Sequence, residues 1–394
     1  MTERGFATRA IHSAKAPPTT QQPASVPIFQ SATWRFDSSE EFADVLNLVR
    51  PGHAYGRGYG NPTVEAFEAV AADLEETEAA FGFASGAGAI FTTCLALAGK
   101  GGRIVSSDQL YGGTHSLFHE ILPELGLEVR FVDVRDLGSV AAALDAGADV
   151  FYVETIANPL CRVADLEALG PLCRERGVRS VVDNTFASAW LCTPARFAFD
   201  FVVNSVTKFM AGHSDVIGGV VCSSAADRVL LRKTAIDTGG AMQPFDAWLA
   251  TRGLETLEVR IRRQCETAQR VAEALEADDR VLAVNYPGLP THPDHETARR
   301  ILRRPGFGGV MSVEVAGGLE GAARWCDAMQ LAWIGASLGG THTLVCHPAS
   351  TTHRQVAPDL RRELGLADGL VRVSCGLEDA DDLLDDLLGA LKAI

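Results

Sequence analysis

The chain has 394 residues, of which 47% are hydrophobic, and a formal net charge of −15 at neutral pH. That length exceeds one ordinary compact core and predicts two domains. The acidic balance excludes phosphate neutralisation on nucleic acid or an anionic membrane as the main task, so "RIRRQ" (260–264) and "RRILRR" (299–304) read as solvated helix faces.

Residues 1–60 are rich in Pro, Thr, Gln and Tyr, include "APPTTQQPASVP" (16–27), and show little periodicity. An extended arm is expected there, ordered by lying on a second subunit. At Asn61 a helix begins: Asn is a good cap, Pro62 suits the first helical position, and Val64, Phe67, Ala71 and Leu74 share one stripe. Strands follow over 81–85, 103–108, 128–133, 149–155 and 180–185, with helices between them entered through "ASGAGAI" (84–90) and near 114–124, 137–145 and 162–177. Such alternation predicts an α/β fold with a mainly parallel sheet covered on both faces. A further apolar strand begins at Phe201 and runs into "NSVTKFMAGHSD". A helix or helix pair over 244–277 leads to a second region, where 308–315, 331–337 and 369–376 read as strands. The domains predicted are the arm 1–60, a large domain 61–243 and a smaller α+β domain 244–394.

Nine scattered cysteines, at 94, 161, 173, 192, 222, 265, 326, 346 and 375, form no CxxC. Reduced, mostly buried thiols in a soluble cytoplasmic protein are expected. The start "MTERGFATRAIHSAK" lacks the apolar centre of a signal peptide, and the most apolar window (86–99) is too short and polar to span a bilayer. The histidines at 115 and 119, and at 292 and 295, have no third ligand in a metal motif, so no metal is predicted.

Glu154, Asp183 and Lys208 fall at or just past the carboxyl ends of apolar strands, where parallel sheets bind ligands. An ammonium group there is costly unless it is paired, neutralised or used. Pyridoxal phosphate uses the whole set: a lysine for its aldehyde, an acid for its pyridinium nitrogen and donors for its phosphate. Lys208 suits the first role and Asp183 the second, the turn "SGAG" (85–88) offers N–H groups to the phosphate, and Tyr111 can stack on the ring. Ser205 and Thr207 alternate along the strand, so a bend is needed to bring both to one site with Lys208.

The motifs "YGRGYGNPT" (55–63), "ASGAGAI" (84–90), "LYGGT" (110–114), "ETIANP" (154–159), "VVDNTF" (181–186), "NSVTKFMAGHSDVIGG" (204–219), "SLGGTHTLVCHPASTTH" (337–353) and "VRVSCGLEDADDL" (371–383) run through nearly the whole chain. In them the sequence resembles the Cys/Met-metabolism family of pyridoxal-phosphate enzymes, which groups cystathionine and methionine lyases, cystathionine γ-synthases and homoserine-ester sulfhydrylases. The resemblance implies the aspartate aminotransferase-like fold (fold type I). It makes Lys208 the cofactor's covalent anchor, Asp183 the partner of the pyridinium, and Tyr111 a stacking group that exchanges protons. Gly86, Ala87, Ser205 and Thr207 would hold the phosphate, and Tyr55 and Arg57 would reach the phosphate of a neighbouring subunit. Arg372, Ser337 and Asn158, with Glu154 in the same crevice, would bind the amino-acid substrate. The family also implies a homotetramer, a dimer of dimers. The activity expected is carbon–sulfur γ-elimination from cystathionine or methionine. A γ-replacement transferase and a non-catalytic ligand sensor or scaffold stand as alternatives. Gly113, where methionine γ-lyases usually carry cysteine, and His342, where cystathionine enzymes commonly carry glutamate, leave the substrate open.

Overall fold

The structure, a computed structural model, describes residues 4–15, 17–18, 20–47, 49–303, 305–351, 361 and 365–394. The expected arm contains two short helices, α1 (Phe6–His12) and α2 (Ser39–Leu46). α1 buries Phe6 and Ala10, and the Phe6 ring stands edge-on to Trp190 at 5.3 Å. Residues 6–12 therefore pack on their own chain. α3 (Pro62–Leu74) begins where the sequence places it, with the Asn61 side chain accepting from the N–H groups of Thr63 and Val64.

Seven strands form the first sheet: β1 (Ala79–Phe83), β2 (Arg103–Ser107), β3 (Glu128–Val132), β4 (Val150–Glu154), β5 (Arg179–Asp183), β6 (Phe201–Ser205) and β7 (Gly219–Ser223). Their order is β1-β7-β6-β5-β4-β2-β3. Strands β2 to β6 run parallel, whereas β7 is antiparallel to both neighbours. Helices cover both faces, which is why β4 is buried at every position. These are α4 (Gly86–Ala98), α5 (Gly112–Ser116), α6 (Leu122–Glu124), α7 (Leu137–Asp145), α8 (Leu166–Glu175), α9 (Ser188–Leu191) and α10 (Ala225–Thr238). The single helix expected near 114–124 is α5 and α6 joined by a π-helical turn, Leu117–Ile121. Pro123 lies just beyond that turn and lacks the N–H that would continue α-helical bonding.

The predicted helix pair is α11 (Pro244–Glu255) and α12 (Leu257–Glu276). α12 passes from one core to the other: Leu257 and Ile261 pack under the first sheet, Val271 and Leu275 under the second. Beyond it lie β8 (Val281–Asn285), α13 (His295–Ile301), β9 (Val310–Val315), α14 (Gly318–Ala328), β10 (Trp333–Ile334), β11 (Leu344–Cys346), β12 (Leu370–Ser374) and α15 (Ala380–Ala390). The second sheet has the order β10-β11-β12-β9-β8 and is antiparallel except between β10 and β11. The strand expected over 331–337 shrinks to two residues because the chain turns away at Ser337, whose φ is +86°. Thr352 and His353, the end of the "HPASTTH" motif, lie outside the described residues. All nine cysteines are free and buried. Among the described residues no helix is long and apolar enough to cross a membrane.

Candidate active site

A cavity of about 380 Å³ opens at the carboxyl ends of β4, β5 and β6. Every site residue singled out in the sequence lines it except Tyr55 and Arg57. Those two lie apart: Arg57 donates to the backbone carbonyl of Ile236 on α10, and its guanidinium carbon sits 5.9 Å from the Tyr55 ring centre. The histidine pairs are engaged elsewhere, His115 with its ring on Phe131 and His295 through Nδ1 on the Pro287 carbonyl at 2.8 Å.

One wall is the start of α4. The Ser85 hydroxyl accepts from the Gly88 N–H at 3.0 Å, while the N–H groups of Gly86 and Ala87, in the first turn, have no helical carbonyl to bond. A Cβ on Gly86 would lie 2.8 Å from the Ser205 Cβ, so only glycine lets α4 come this close to β6. The bend required after β6 is present, because the chain turns directly beyond Ser205. Ser205, Thr207 and Lys208 thereby reach the same cavity. The Thr207 hydroxyl accepts from the Gly218 N–H at 3.0 Å, which fixes the turn against the chain leading into β7.

Glu154 and Asp183 end adjacent strands and pair in register. Asp183 accepts from the Thr185 N–H at 2.9 Å through Oδ1, and the Tyr152 hydroxyl stands 3.4 Å from Oδ2. Burial raises the Asp183 carboxyl above its ordinary range. Glu154 accepts from the Tyr111 N–H at 2.7 Å and from the Asn158 N–H at 3.2 Å. Burial, then the charge on Asp183, pushes Glu154 up to about 8. Both of its oxygens thus hold backbone, which orients Tyr111 and Asn158 around the cavity. Thr185 went unnoticed in the sequence, although it stands inside the "VVDNTF" motif. Its N–H supports Asp183 and its hydroxyl accepts from the Ser205 N–H at 2.8 Å.

Opposite the acids, the Lys208 amine donates to the Ser337 hydroxyl at 2.8 Å. Burial, reinforced by the nearby Arg372, lowers Lys208 from 10.5 to about 8. Arg372, on β12, donates to the Ser337 carbonyl at 2.7 Å and to Asn158 Oδ1 at 3.2 Å, and its buried Nε has no partner among the described residues. Tyr111, at the start of α5, is 46% exposed and faces the cavity mouth. A Cβ on residue 113 would lie 2.5 Å from its Cε1, so Gly113 leaves room for the ring.

This donor set fits pyridoxal phosphate. An amine held near neutrality, a half-buried carboxylate with no cation among its hydrogen-bond partners, open helix N–H groups and an unsatisfied guanidinium nitrogen each match one part of the cofactor or of an amino acid on it. Residues 7–392 match the family model for Cys/Met metabolism PLP-dependent enzymes. The L-methionine gamma-lyase of Pseudomonas putida is 39% identical over 391 residues, covering 99% of this chain and 98% of that protein. The cystathionine beta-lyase of Coxiella burnetii is 36% identical over 389 residues, covering 98% of this chain and 97% of that protein. Among solved structures, one described as an O-acetylhomoserine (thiol)-lyase of Campylobacter jejuni superposes with a TM-score of 0.94 at 30% identity, covering 99% of this chain and 100% of that one. It carries N'-pyridoxyl-lysine-5'-monophosphate. The chain belongs to the Cys/Met metabolism family of pyridoxal-phosphate-dependent enzymes. Its fold is theirs, and its cofactor is pyridoxal phosphate.

Proposed function

We propose that the protein is a carbon–sulfur γ-lyase that converts L-methionine and water to 2-oxobutanoate, ammonia and methanethiol, with cystathionine as the second candidate substrate. The observation that supports methionine is the cavity lining: among the described residues Lys208 and Arg372 are the cations that line it, and Leu117, Ile156, Phe186 and Leu338 give apolar surface. A neutral thioether suits that surface, whereas cystathionine brings a second ammonium and a second carboxylate that find no partners among those residues. The resemblance to methionine gamma-lyases points the same way.

When bound, pyridoxal phosphate supplies a cationic ring that takes up the electron pair left at the substrate Cα. Asp183 keeps that ring protonated. Gly86, Ala87, Ser205 and Thr207 hold the phosphate. Arg372, with Asn158 and Ser337 beside it, grips the α-carboxylate as a fork. Lys208, released from its covalent role, removes the Cα proton and passes protons on; its value of about 8 leaves a useful neutral fraction near pH 7. Tyr111 delivers a proton to the departing sulfur. Glu154 acts by holding Tyr111 and Asn158. Tyr55 and Arg57, outside their own cavity, complete the phosphate site of a neighbouring subunit in a cytoplasmic homotetramer. In this assignment 61–243 is the cofactor domain and 244–394 the smaller one.

A γ-replacement transferase acting on an acylated homoserine is the second reading, supported by the likeness to the Campylobacter jejuni structure. Product analysis with L-methionine, L-cystathionine, and O-acetylhomoserine plus a thiol separates the two. Rapid 2-oxobutanoate from methionine supports the lyase. Thioether formation that depends on O-acetylhomoserine, with little turnover of methionine, overturns it.

A further inference from the structure

Glu75 caps the carboxyl end of α3, on the far side of β5 and β6 from anything the mechanism uses, and its solvent exposure is 0%. Its Oε1 accepts from the Asn204 side-chain amide at 2.7 Å and from that of Asn184 at 3.1 Å, and Oε2 lies 3.3 Å from Asn184. Among the described residues no arginine, lysine or histidine offsets it: burial pushes its carboxyl up to about 7, Glu76 adds to that, and the two amides pull back. A buried carboxylate without a cation destabilises a fold, so stability does not explain its presence.

The two asparagines explain it better. Asn184 follows Asp183, and Asn204 precedes Ser205. The main-chain ladder between β5 and β6 stops with the Asn184 N–H donating to the Val203 carbonyl at 2.8 Å; the next N–H along β6, that of Ser205, turns to the Thr185 hydroxyl instead. Glu75 crosses the two strands where their own bonding ends. Asn204 has no other use for its side chain, since its Oδ1 is buried without a partner among the described residues. Asn184 extends the brace by accepting from the Thr155 hydroxyl at 2.9 Å, beside Glu154.

We propose that Glu75 is a positioning residue of the cofactor site, holding Asp183 and the Ser205–Lys208 turn at the spacing that one small ring requires. This role presupposes those proposed above for Asp183 and Lys208. In the full-length holoenzyme, Glu75→Leu is expected to raise the dissociation constant for pyridoxal phosphate about 10-fold or more, a typical cost of losing an orienting partner, and to shift the visible absorbance band of the Lys208-bound cofactor. Glu75→Gln, whose Oε1 still accepts both amides, should return both readouts to within about 3-fold of wild type. Asn204→Ala removes one strut, should weaken binding by an intermediate amount, and carries the test if the leucine variant does not fold. Trp325→Phe, in the core of the second sheet, is the comparator: it should lower the thermal midpoint and leave both cofactor readouts alone. Unchanged affinity and spectrum in the foldable Glu75 and Asn204 variants, or an equal loss in Trp325→Phe, overturns the role. Borohydride fixation of the cofactor to Lys208 in the wild type comes first. Its failure would remove the site assignment, whereas normal fixation with unaffected variants removes only Glu75.

Discussion

Replacing Lys208 by methionine in the cofactor-stripped protein should stabilise it at neutral pH while abolishing covalent cofactor attachment. The folded state lowers Lys208 from 10.5 to about 8, chiefly by burial. At 1.36 kcal/mol per pKa unit, that gap of 2.5 corresponds to about 3 kcal/mol. For a group with a depressed folded value, the stability is present above 10.5, is lost as pH falls towards about 8, and is absent at pH 7. Methionine fills a similar volume without a charge, but it gives up the 2.8 Å bond to Ser337, worth about 1 kcal/mol. The net expectation is a gain of about 2 kcal/mol at pH 7. The gap should shrink as pH rises above about 8 and reverse sign before pH reaches 10.5. Urea unfolding of both proteins at several pH values, at one protein concentration, measures it. A methionine variant less stable at pH 7, or a difference that does not change with pH, would refute the claim that burial of this amine strains the empty site.

Arg372→Lys should raise KM for the amino acid roughly 10- to 100-fold with little change in cofactor affinity, because an ammonium cannot replace a fork that spans Asn158 and the Ser337 carbonyl; steady-state kinetics beside cofactor titration will show it. Gly113→Ala puts a methyl group where the Tyr111 ring lies and should lower kcat about 10-fold while leaving the thermal midpoint nearly unchanged. Gly86→Ala forces α4 off Ser205 and should weaken pyridoxal phosphate binding by about 10-fold, seen as a shifted fluorescence titration with kcat preserved at saturation.

The parallel strands could be read from the sequence because strands covered on both faces carry unbroken apolar runs, as β4 and β6 do. β7 was missed: its five residues begin at the second glycine of "DVIGG" with no helix before them, so the βα rhythm gave no cue for an antiparallel return. α10 escaped because only Leu231 and Ala235 on it are buried, too few to mark a stripe. α1 was hidden by the polar residues around Phe6 and Ala10. At the site, Lys208 and Asp183 could be found because a charge at the end of an apolar strand is costly and conspicuous, whereas Arg372, in the middle of β12, came only with the family resemblance. Glu75 could not. In "ADLEETE" it is one acid among several at a helix end, and only long-range pairing with Asn184 and Asn204 sets it apart.

The bond between Asn158 and Arg372 joins positions 214 apart, and β1 enters its sheet only through β7, which joins Ala79 to Ser223. Contacts this distant in sequence close late, since the loop entropy must be met first. On the ribosome, the strands around Lys208 are therefore all synthesised well before the guanidinium on β12 leaves the exit tunnel. The wall of the cavity that carries Arg372 is thus the last to be made, and it closes only when β12 joins β9.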